Sequence, residues 1–327
     1  MNILVIFTGG TIGSSVQNGW ISPDKSTKSE LIYRYNQAEK FSDVHFSSVS
    51  PYTVLSENLS VKEINSLICA VIGAQKGNYD GVIITHGTDT LQYSAAVLDF
   101  TIEKKLPIVL VSSDYPLADK RSNGLENFRS AVNFIRSKPC GGVFVSYKNR
   151  NERLTHIHLA TRIIAHLESC ADLYSIDGKP YAIVDNDTKE VTVCSDRPLN
   201  NFDGVGKVQF CAKPNILIVE SYPEKTYSYN LDKYSAVIIS PFHSGTLNTA
   251  SENFQSFCKR AKDKDVPVFV VNVSDGVAYK SSKLFSDLGL IVLPLCTRTA
   301  IFVKCWLALS LCKDVKQFVL DKIGNEF

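Results

Sequence analysis

Two glycine-rich segments carry threonine hydroxyls directly after apolar runs. They are TGGTIG at Thr8–Gly13, which follows Leu4–Phe7, and THGTDT at Thr85–Thr90, which follows Val82–Ile84. A threonine hydroxyl becomes a nucleophile when a base takes its proton, and glycine lets the backbone turn sharply and approach a ligand closely. Near-continuous apolar runs are typical of parallel strands buried on both faces. Both segments are therefore predicted loops at the carboxyl ends of such strands, where open α/β sheets bind their ligands.

The side chains of the second segment are predicted to have different roles. Thr90 is predicted to cap the helix that follows, which leaves the hydroxyl of Thr88 for chemistry. Asp89 would place a carboxylate at the helix N-terminus, where the dipole keeps it ionised and able to accept hydrogen bonds from a substrate ammonium. The alternative is structural, with the glycines forming tight turns, Asp89 capping and Thr88 packing. Because the pattern occurs twice, two loops that face one cleft are favoured.

Nucleotide and metal cofactors do not fit these segments. Gly9, Gly10 and Gly13 do not match the G-x-G-x-x-G spacing of dinucleotide-binding loops, and no Gly-Lys-Ser/Thr follows for a phosphate loop. The nine cysteines are scattered, and no pair has the spacing of metal ligands. We therefore expect neither a cofactor nor a metal.

Apolar runs alternate with helical patterns along the rest of the chain. Strands are predicted at 81–85, 107–111, 142–146, 215–220, 236–240 and 266–271. Helices are predicted behind two capping boxes, Ser60 with Glu63 and Thr249 with Glu252. Residues 181–193 are predicted to form a hairpin that closes the first domain. Alternation of strands with helices indicates an α/β fold with crossover units and a parallel sheet.

The length indicates two domains, since 327 residues exceed the usual size of a single core. The stretch from Cys194 to Pro214 mixes turn residues with charges and lacks helical periodicity. The prediction is a first domain at 1–195, a linker at 196–213 and a second domain at 214–327.

Charge and cysteine usage narrow the class of partner and the compartment. A formal net charge of +2 gives no broad basic field for nucleic acid, and Lys104 and Lys105 are interpreted as a solvated helix end. No apolar run approaches the roughly 20 residues needed to span a bilayer, so no membrane association is expected. An odd number of scattered cysteines is typical of mostly buried thiols in a reducing compartment. A cytoplasmic protein with a small-molecule ligand is predicted.

Taken together, TGGTIG and THGTDT strongly resemble the two threonine loops of the bacterial-type L-asparaginase family, in a divergent type I-like, cytoplasmic form. Leu55–Ser60 is similar to the substrate loop of that family, and Val109–Val132 to its next strand and helix. The resemblance implies two doubly wound α/β domains. The larger N-terminal domain would hold a mainly parallel sheet plus a β-hairpin, and the smaller C-terminal domain would be Rossmann-like.

The resemblance also implies roles for individual residues. Thr11 matches the threonine that attacks the side-chain amide, and Thr88 matches the second catalytic threonine. The implied reaction hydrolyses asparagine to aspartate and ammonia through an acyl-enzyme, with backbone amides stabilising the oxyanion. Asp89, which also belongs to the catalytic set, would hold the substrate α-ammonium, and Ser56 would hold the α-carboxylate. Glu57 matches another ammonium contact, and the predicted substrate-binding set is completed by Gly87 and Trp20.

Two positions depart from the family pattern. Trp20 stands nearest to the tyrosine that the family places in its lid, and an indole N–H donates but is not a base. The family places a lysine beside the equivalents of Thr88 and Asp89, and the candidate stretch Arg153–Ser169 contains no lysine. Arg162 matches it by local pattern and is assigned to the catalytic set, although an arginine stays protonated. His158 is the match if Ser169 is the anchor, and a histidine can be a base at neutral pH.

The family assembly implies a homodimer or homotetramer with the site at a subunit interface. Thr246 is the candidate that completes a neighbouring site, and Asn248 and Tyr279 are equally available. A catalytically diverged amino-acid-binding or regulatory protein is the alternative to an active hydrolase. An amidotransferase component for tRNA-dependent glutamine synthesis ranks lowest, since the chain begins at the first strand and shows no basic tract for RNA.

Overall fold

The chain divides into two units, Met1–Val208 and Gln209–Phe327. The computed structural model describes residues 1–17, 19–23, 27–39, 43–168, 170–195, 199, 202–273 and 279–327. The division falls within the predicted linker at 196–213, of which residues 196–198, 200 and 201 lie outside the described part.

One large sheet and one separate hairpin organise the first unit. Its strands are, in chain order, β1 (Asn2–Phe7), β2 (Ser14–Gln17), β3 (Trp20–Pro23), β4 (His45–Val49), β5 (Gly81–Thr85), β6 (Pro107–Val111), β7 (Gly142–Tyr147), β8 (Thr155–Leu159), β9 (Ala182–Val184) and β10 (Val191–Val193). As far as the described residues go, β2 and β3 pair only with each other, and the other eight form one sheet in the order β10-β9-β8-β7-β6-β5-β1-β4. The strands from β4 to β7 in that order run parallel, and β8, β9 and β10 are added antiparallel.

Helices cover both faces of this sheet. They are α1 (Thr27–Ala38), α2 (Val61–Ala74), α3 (Leu91–Thr101) and α4 (Gly124–Arg136). Successive side chains of a strand point to opposite faces. On β1, Ile3 and Val5 join the cluster that contains Tyr35 of α1 and Phe128 of α4, while Leu4 and Ile6 are buried on the opposite face. Because α2 and α3 pack against each other and α3 contacts β7, we assign them to that second face.

The second unit repeats this plan at smaller scale. Four parallel strands, β11 (Ile216–Glu220), β12 (Ala236–Ser240), β13 (Val268–Val270) and β14 (Leu290–Val292), form its described sheet in chain order. Its helices are α5 (Glu252–Asp263), α6 (Arg298–Ser310) and α7 (Val315–Leu320). Val237 and Ile239 pack in a cluster with Phe254 of α5, whereas Ile238 packs in another with Ile301 of α6. The predicted fold class, two doubly wound α/β domains, is confirmed.

The order of strands locates a crevice in the first sheet. The chain passes from β1 to β4 on one side of β1 and then to β5 on the other side. Ligands of open α/β sheets bind outside the carboxyl ends of the strands, at the point where the strand order reverses. The loops after β1, β4 and β5 meet at that edge, and two of them are the threonine segments.

Most predicted elements are present, but one of the two predicted capping boxes is not. Three predicted strands have the expected bounds, 81–85, 107–111 and 236–240, and the bounds of the other three are shifted by one or two residues. Residues 182–193 form the predicted hairpin as β9 and β10. The capping box of Ser60 and Glu63 begins α2 as expected. The second box is wrong, because Ser251 caps α5 by accepting from the Phe254 backbone N–H, while the Thr249 hydroxyl donates to the carbonyl of Ser281.

The environment of the cysteines also differs from the prediction. All nine thiols are free, but only Cys258, Cys296 and Cys305 are buried. Burial raises the pKa of the Cys258 thiol to about 12 and that of Cys305 further still. The expectation that most thiols are buried is therefore wrong. Among the described residues, no helix combines the length and apolar character needed to cross a membrane.

Lys104 is not part of a solvated helix end. Its side chain is 5% exposed, and its ammonium contacts the Asp99 carboxylate at 2.5 Å and the Asp99 carbonyl at the end of α3. The adjacent Lys105 is 62% exposed and pairs with Glu103 on the surface. The pair of Lys104 with Asp99 thus fastens the end of α3, the helix that follows the second threonine loop.

We predict that Lys104→Ala lowers the free energy of unfolding by about 3–5 kcal/mol, because the buried Asp99 carboxylate loses its ion pair with the ammonium. Lys105→Ala is the matched control, and its exposed pair predicts a change below about 1 kcal/mol. Urea unfolding of the three proteins measures both values. Equal losses in the two variants would contradict the buried-pair assignment.

Candidate active site

The first threonine loop is tied to the neighbouring strand before it turns. Thr8 is buried, and its hydroxyl donates to the carbonyl of Thr85 at 2.6 Å, which joins the ends of β1 and β5. Gly10 has a φ of 75°, in the left-handed region that favours glycine. The chain then forms one 3₁₀ turn at Thr11–Gly13, closed by a hydrogen bond from the Gly13 N–H to the Gly10 carbonyl. This turn presents Thr11 at the carboxyl edge of the sheet.

The two threonine loops touch through glycine. A Cβ on Gly10 would lie 2.3 Å from the backbone nitrogen of Gly87, far inside van der Waals contact. A Cβ on Gly87 would lie 2.4 Å from the hydroxyl of Ser56. Three loops therefore converge where no side chain fits, and Thr11 and Thr88 each follow directly after one of the two glycines.

Ser56 and Asp89 form the polar junction of these loops. The Ser56 hydroxyl donates to Asp89 Oδ2 at 3.1 Å and accepts from the Asp89 backbone N–H at 3.3 Å. Ser56 is buried at the start of the 3₁₀ turn Ser56–Asn58, whereas Asp89 is exposed and keeps its other carboxylate oxygen for further contacts. The carboxylate thus stands at the edge of the cleft with one oxygen held by the protein.

Thr90 serves this junction and does not cap α3. It occupies the N-cap position, but it makes no side-chain cap hydrogen bond, and its hydroxyl donates to the Ser56 carbonyl at 3.0 Å. The predicted capping role is therefore wrong, because the tertiary partner takes the only donor of the hydroxyl. Thr90 instead fixes the Ser56 loop against the start of α3.

The hydroxyls of Thr11 and Thr88 remain available for a ligand. Both residues are partly exposed, and neither hydroxyl forms a hydrogen bond with another described residue. The peptide that joins Gly87 to Thr88 is held by His86. The buried His86 ring bonds the Gly87 carbonyl at 2.9 Å and the Ser94 hydroxyl at 2.8 Å. Burial lowers the pKa of His86 and keeps its imidazole neutral.

The remaining residues of the predicted set lie in different surroundings. Glu57 is exposed next to Ser56, on the surface of the same turn. Trp20 is 77% exposed at the start of β3, opposite Gln17 in the β2–β3 hairpin. Arg162 is buried, and its guanidinium lies 3.4 Å from Asp177.

His158, the alternative match to the family lysine, has Ser175 as its hydrogen-bond partner. It lies on β8 and is fully buried, with Nδ1 at 2.9 Å from the Ser175 hydroxyl. Burial, with smaller contributions from His156 and His166, lowers the pKa of His158 to about 3. Ser169, the anchor for its assignment, lies outside the described residues.

A third histidine, His166, was missed by the sequence analysis and stands beside the second threonine loop. Burial lowers its pKa to about 4 against the opposing effects of the Thr88 backbone and the carboxylates of Asp89 and Asp172. Its ring packs edge-on against Tyr147 with centroids 4.9 Å apart. The available signal was its place among three histidines in one short stretch, but only tertiary structure shows which of them meets Thr88.

Known proteins share both the sequence pattern and the fold of this chain. Residues 2–196 match the family model described as Asparaginase, N-terminal. The thermostable L-asparaginase from Thermococcus kodakarensis superposes with a TM-score of 0.83 over 100% of this chain and 99% of that chain, at 22% identity. L-asparaginase I from Vibrio cholerae gives a TM-score of 0.79 over 100% and 98%, at 20% identity. At sequence identities of 20–22%, the likeness to these two structures shows the shared fold alone.

Curated relatives carry a different name. A component of the glutamyl-tRNA(Gln) amidotransferase of Methanosarcina mazei is 28% identical over 286 residues, which cover 83% of this chain and 64% of that protein. The corresponding amidotransferase component from Methanobrevibacter smithii is 26% identical over 283 residues, covering 83% and 62%. The chain thus spans slightly less than two thirds of the length of these relatives.

Two buried neutral histidines predict an acid-sensitive fold. His158 and His166 bind protons in the folded state only near pH 3 and pH 4, whereas an unfolded histidine binds them near pH 6.5. Between these pH values the unfolded chain binds more protons than the folded chain, so the free energy of unfolding rises with pH. The contribution of the two histidines to stability is complete above about pH 6.5 and is lost progressively as the pH falls below it. Each histidine contributes a slope of up to about 1.4 kcal/mol per pH unit.

Urea unfolding at pH 7 and pH 5 measures how steeply the free energy of unfolding depends on pH. His158→Gln is expected to reduce this slope by the contribution of one histidine, up to about 1.4 kcal/mol per pH unit. An unchanged slope in that variant would contradict burial of a neutral imidazole.

Proposed function

Because the chain belongs to the asparaginase family, we propose that it is an amidohydrolase that converts the side-chain amide of L-asparagine, or a related small amide, to a carboxylate and ammonia. The observation that carries the proposal is the convergence of three loops at the contact of Gly10 with Gly87 and at the junction of Ser56 with Asp89. The convergence brings two unengaged threonine hydroxyls to one edge of the sheet, beside a carboxylate.

The α-amino acid part of the substrate meets the Ser56–Asp89 junction. The free oxygen of the Asp89 carboxylate accepts from the substrate ammonium, and such charge-assisted hydrogen bonds are about twice as strong as neutral ones. When substrate binds, the Ser56 hydroxyl turns its proton from Asp89 Oδ2 to the α-carboxylate. Glu57 and the Gly87 backbone complete the set. Two fixed handles orient the amide for attack and replace a bimolecular encounter by a positioned one.

The amide group meets the threonines. The Thr11 hydroxyl oxygen attacks the amide carbon, the C–N bond breaks, and the nitrogen leaves as ammonia after it gains a proton. The resulting ester is hydrolysed by water, which restores Thr11 and releases the carboxylate. Backbone N–H groups of the glycine loops stabilise the oxyanion of each step. The scheme uses no metal or cofactor.

The proposal includes a homodimer or homotetramer in which the second unit completes a neighbouring site. Thr246 is the first candidate, and its hydroxyl lies 3.1 Å from the hydroxyl of Ser244. Asn248 and Tyr279 are exposed and remain alternative contributors.

A second candidate function follows from the curated relatives. Their name indicates one component of an amidotransferase that acts on glutamyl-tRNA(Gln), in which case the ammonia would pass to a tRNA-bound substrate in a complex with a partner protein. The prediction that nucleic acid is not a partner then fails. Copurification with tRNA and a second protein, and ammonia release from glutamine that depends on them, would favour this candidate.

A catalytically diverged amino-acid-binding protein is the third possibility. It would bind aspartate at the same junction, detected by fluorescence of Trp20 and Trp306, without any turnover.

We predict that the purified protein releases ammonia from L-asparagine and that Thr11→Val and Thr88→Val each reduce kcat at least 100-fold. Valine keeps the branched shape and removes only the reacting hydroxyl, and acid–base and nucleophilic contributions are typically of about this size or larger. Thr188→Val is the control, since Thr188 is exposed in the β9–β10 turn. If the folded protein binds aspartate but releases no ammonia, the hydrolase proposal is rejected in favour of the amino-acid-binding protein. If kcat is unchanged in both variants, the catalytic roles assigned to the Thr11 and Thr88 hydroxyls are rejected.

A further inference from the structure

Gln92 is a polar side chain buried in the first turn of α3. It is 5% exposed, although glutamine lies mostly on protein surfaces. Its Nε2 donates to the Asp89 carbonyl at 3.2 Å, whereas Oε1 is buried and has no hydrogen-bond partner among the described residues. Burying an amide costs free energy unless it is hydrogen-bonded. The bond to Asp89 is therefore what glutamine supplies here and an apolar side chain of the same size would not.

The partner of the Gln92 amide determines which end of that amide faces it. A backbone carbonyl only accepts hydrogen bonds, so the NH2 group faces Asp89, and the reverse orientation would oppose two acceptors. An ionised glutamate has almost the same shape but only acceptor oxygens. The residue at this position must therefore be a donor as well as fit the space.

Two side chains hold the backbone of Asp89, one on each side of its Cα. The Ser56 hydroxyl accepts from the Asp89 N–H at 3.3 Å, and the Gln92 amide donates to the Asp89 carbonyl. Ser56 comes from the loop after β4 and Gln92 from α3, so the residue is held between two separate elements. Because both flanking peptide groups are restrained, the direction in which the carboxylate leaves the loop is restrained too.

The bond from Gln92 matters most when a substrate is bound. In the free chain the Ser56 hydroxyl also donates to the Asp89 carboxylate at 3.1 Å, and in the proposed complex this proton turns to the substrate α-carboxylate. The carboxylate of Asp89 is then positioned through its backbone, by the Ser56 oxygen on one side and the Gln92 amide on the other. Its charge-assisted bond to the substrate ammonium depends on that position.

We propose that Gln92 is a positioning residue for Asp89 and that its amide determines how tightly the site binds an α-amino acid. The inference rests on the proposed function, in which the Asp89 carboxylate binds the substrate ammonium. Because the ammonium belongs to the part of the substrate that does not react, loss of the Gln92 bond raises Kd and KM more than it lowers kcat.

The test measures the affinity for L-aspartate by calorimetric titration of Gln92→Met and Gln92→Glu at pH 8 and pH 5.5. Methionine keeps the length of the side chain and removes the donor, so it should weaken binding about fivefold at both pH values, as expected for one hydrogen bond.

The introduced glutamate gives a response to pH that a space-filling role would not. At pH 8 it is ionised and opposes the Asp89 carbonyl, so binding should be weaker by about tenfold or more. Burial raises the pKa of a carboxyl group. At pH 5.5 the protonated form donates through its O–H, and affinity should recover to within about threefold of the wild type at that pH.

Gln75 provides a matched control. Its Nε2 donates to the Glu103 carbonyl at 2.5 Å, which is the same type of bond between the residues that follow the far ends of α2 and α3. Gln75→Met and Gln75→Glu should therefore bind aspartate as the wild type does at both pH values.

The inference is overturned if both Gln92 variants bind aspartate within twofold of the wild type, or if a folded Gln92→Glu shows no recovery at pH 5.5. A second measurement needs no ligand. The NMR resonance of the Asp89 carboxylate carbon should shift in Gln92→Met but not in Gln75→Met, and an unchanged resonance would overturn the inference. A wild type that neither binds aspartate nor releases ammonia overturns the proposed function, and the resonance still decides whether Gln92 positions Asp89.

Discussion

The approach of Gly10 to Gly87 is the constraint on which the site depends. Adjacent parallel strands bring their carboxyl ends to one edge, but loops with side chains at these positions could not touch, because any Cβ would lie 2.3–2.4 Å from another atom. With glycine at both positions, the backbones meet and Thr11 and Thr88 follow one residue later. The strand order adds the third loop, since β4 and β5 flank β1 and the loop after β4 delivers Ser56.

Polar bonds then convert this contact into a site with a fixed orientation. The Ser56 hydroxyl bonds one carboxylate oxygen and the backbone N–H of Asp89. The Thr90 hydroxyl donates to the Ser56 carbonyl, and the Thr8 hydroxyl donates to the Thr85 carbonyl and so joins β1 to β5. Each of these hydroxyls is engaged by protein, whereas those of Thr11 and Thr88 are not. Of these five hydroxyls, three are engaged by protein in the free chain, and only those of Thr11 and Thr88 are left without a described partner, which makes a nucleophilic role specific to these two.

The sequence predicts the fold and the loop positions well because their causes are local. Continuous apolar runs predict β1, β5, β6 and β7. The two threonine motifs locate the edge of the sheet where the loops meet. The Ser60–Glu63 capping box is equally local, since both partners lie within one turn of the helix.

Errors arise where a distant partner competes with a local one. Thr90 has the right position and residue type for a cap, but Ser56 takes its hydroxyl from another loop. Lys104 has the composition of a helix end, but Asp99 buries it. His166 has no distinguishing neighbour in sequence, and only the folded chain brings it to the Thr88 backbone. Patterns of one chain segment contain no information about such pairings.

The central claim is that an α-amino acid binds where Ser56 meets Asp89, and a double-mutant cycle on L-aspartate affinity tests it most directly. Calorimetric titration of the wild type, Ser56→Ala, Asp89→Asn and the double variant measures both the losses and their coupling. We expect each single change to weaken binding at least tenfold and the double variant to lose clearly less than the two losses combined, because each residue acts through the other. Affinities unchanged by either substitution, or losses that add fully, would contradict the account.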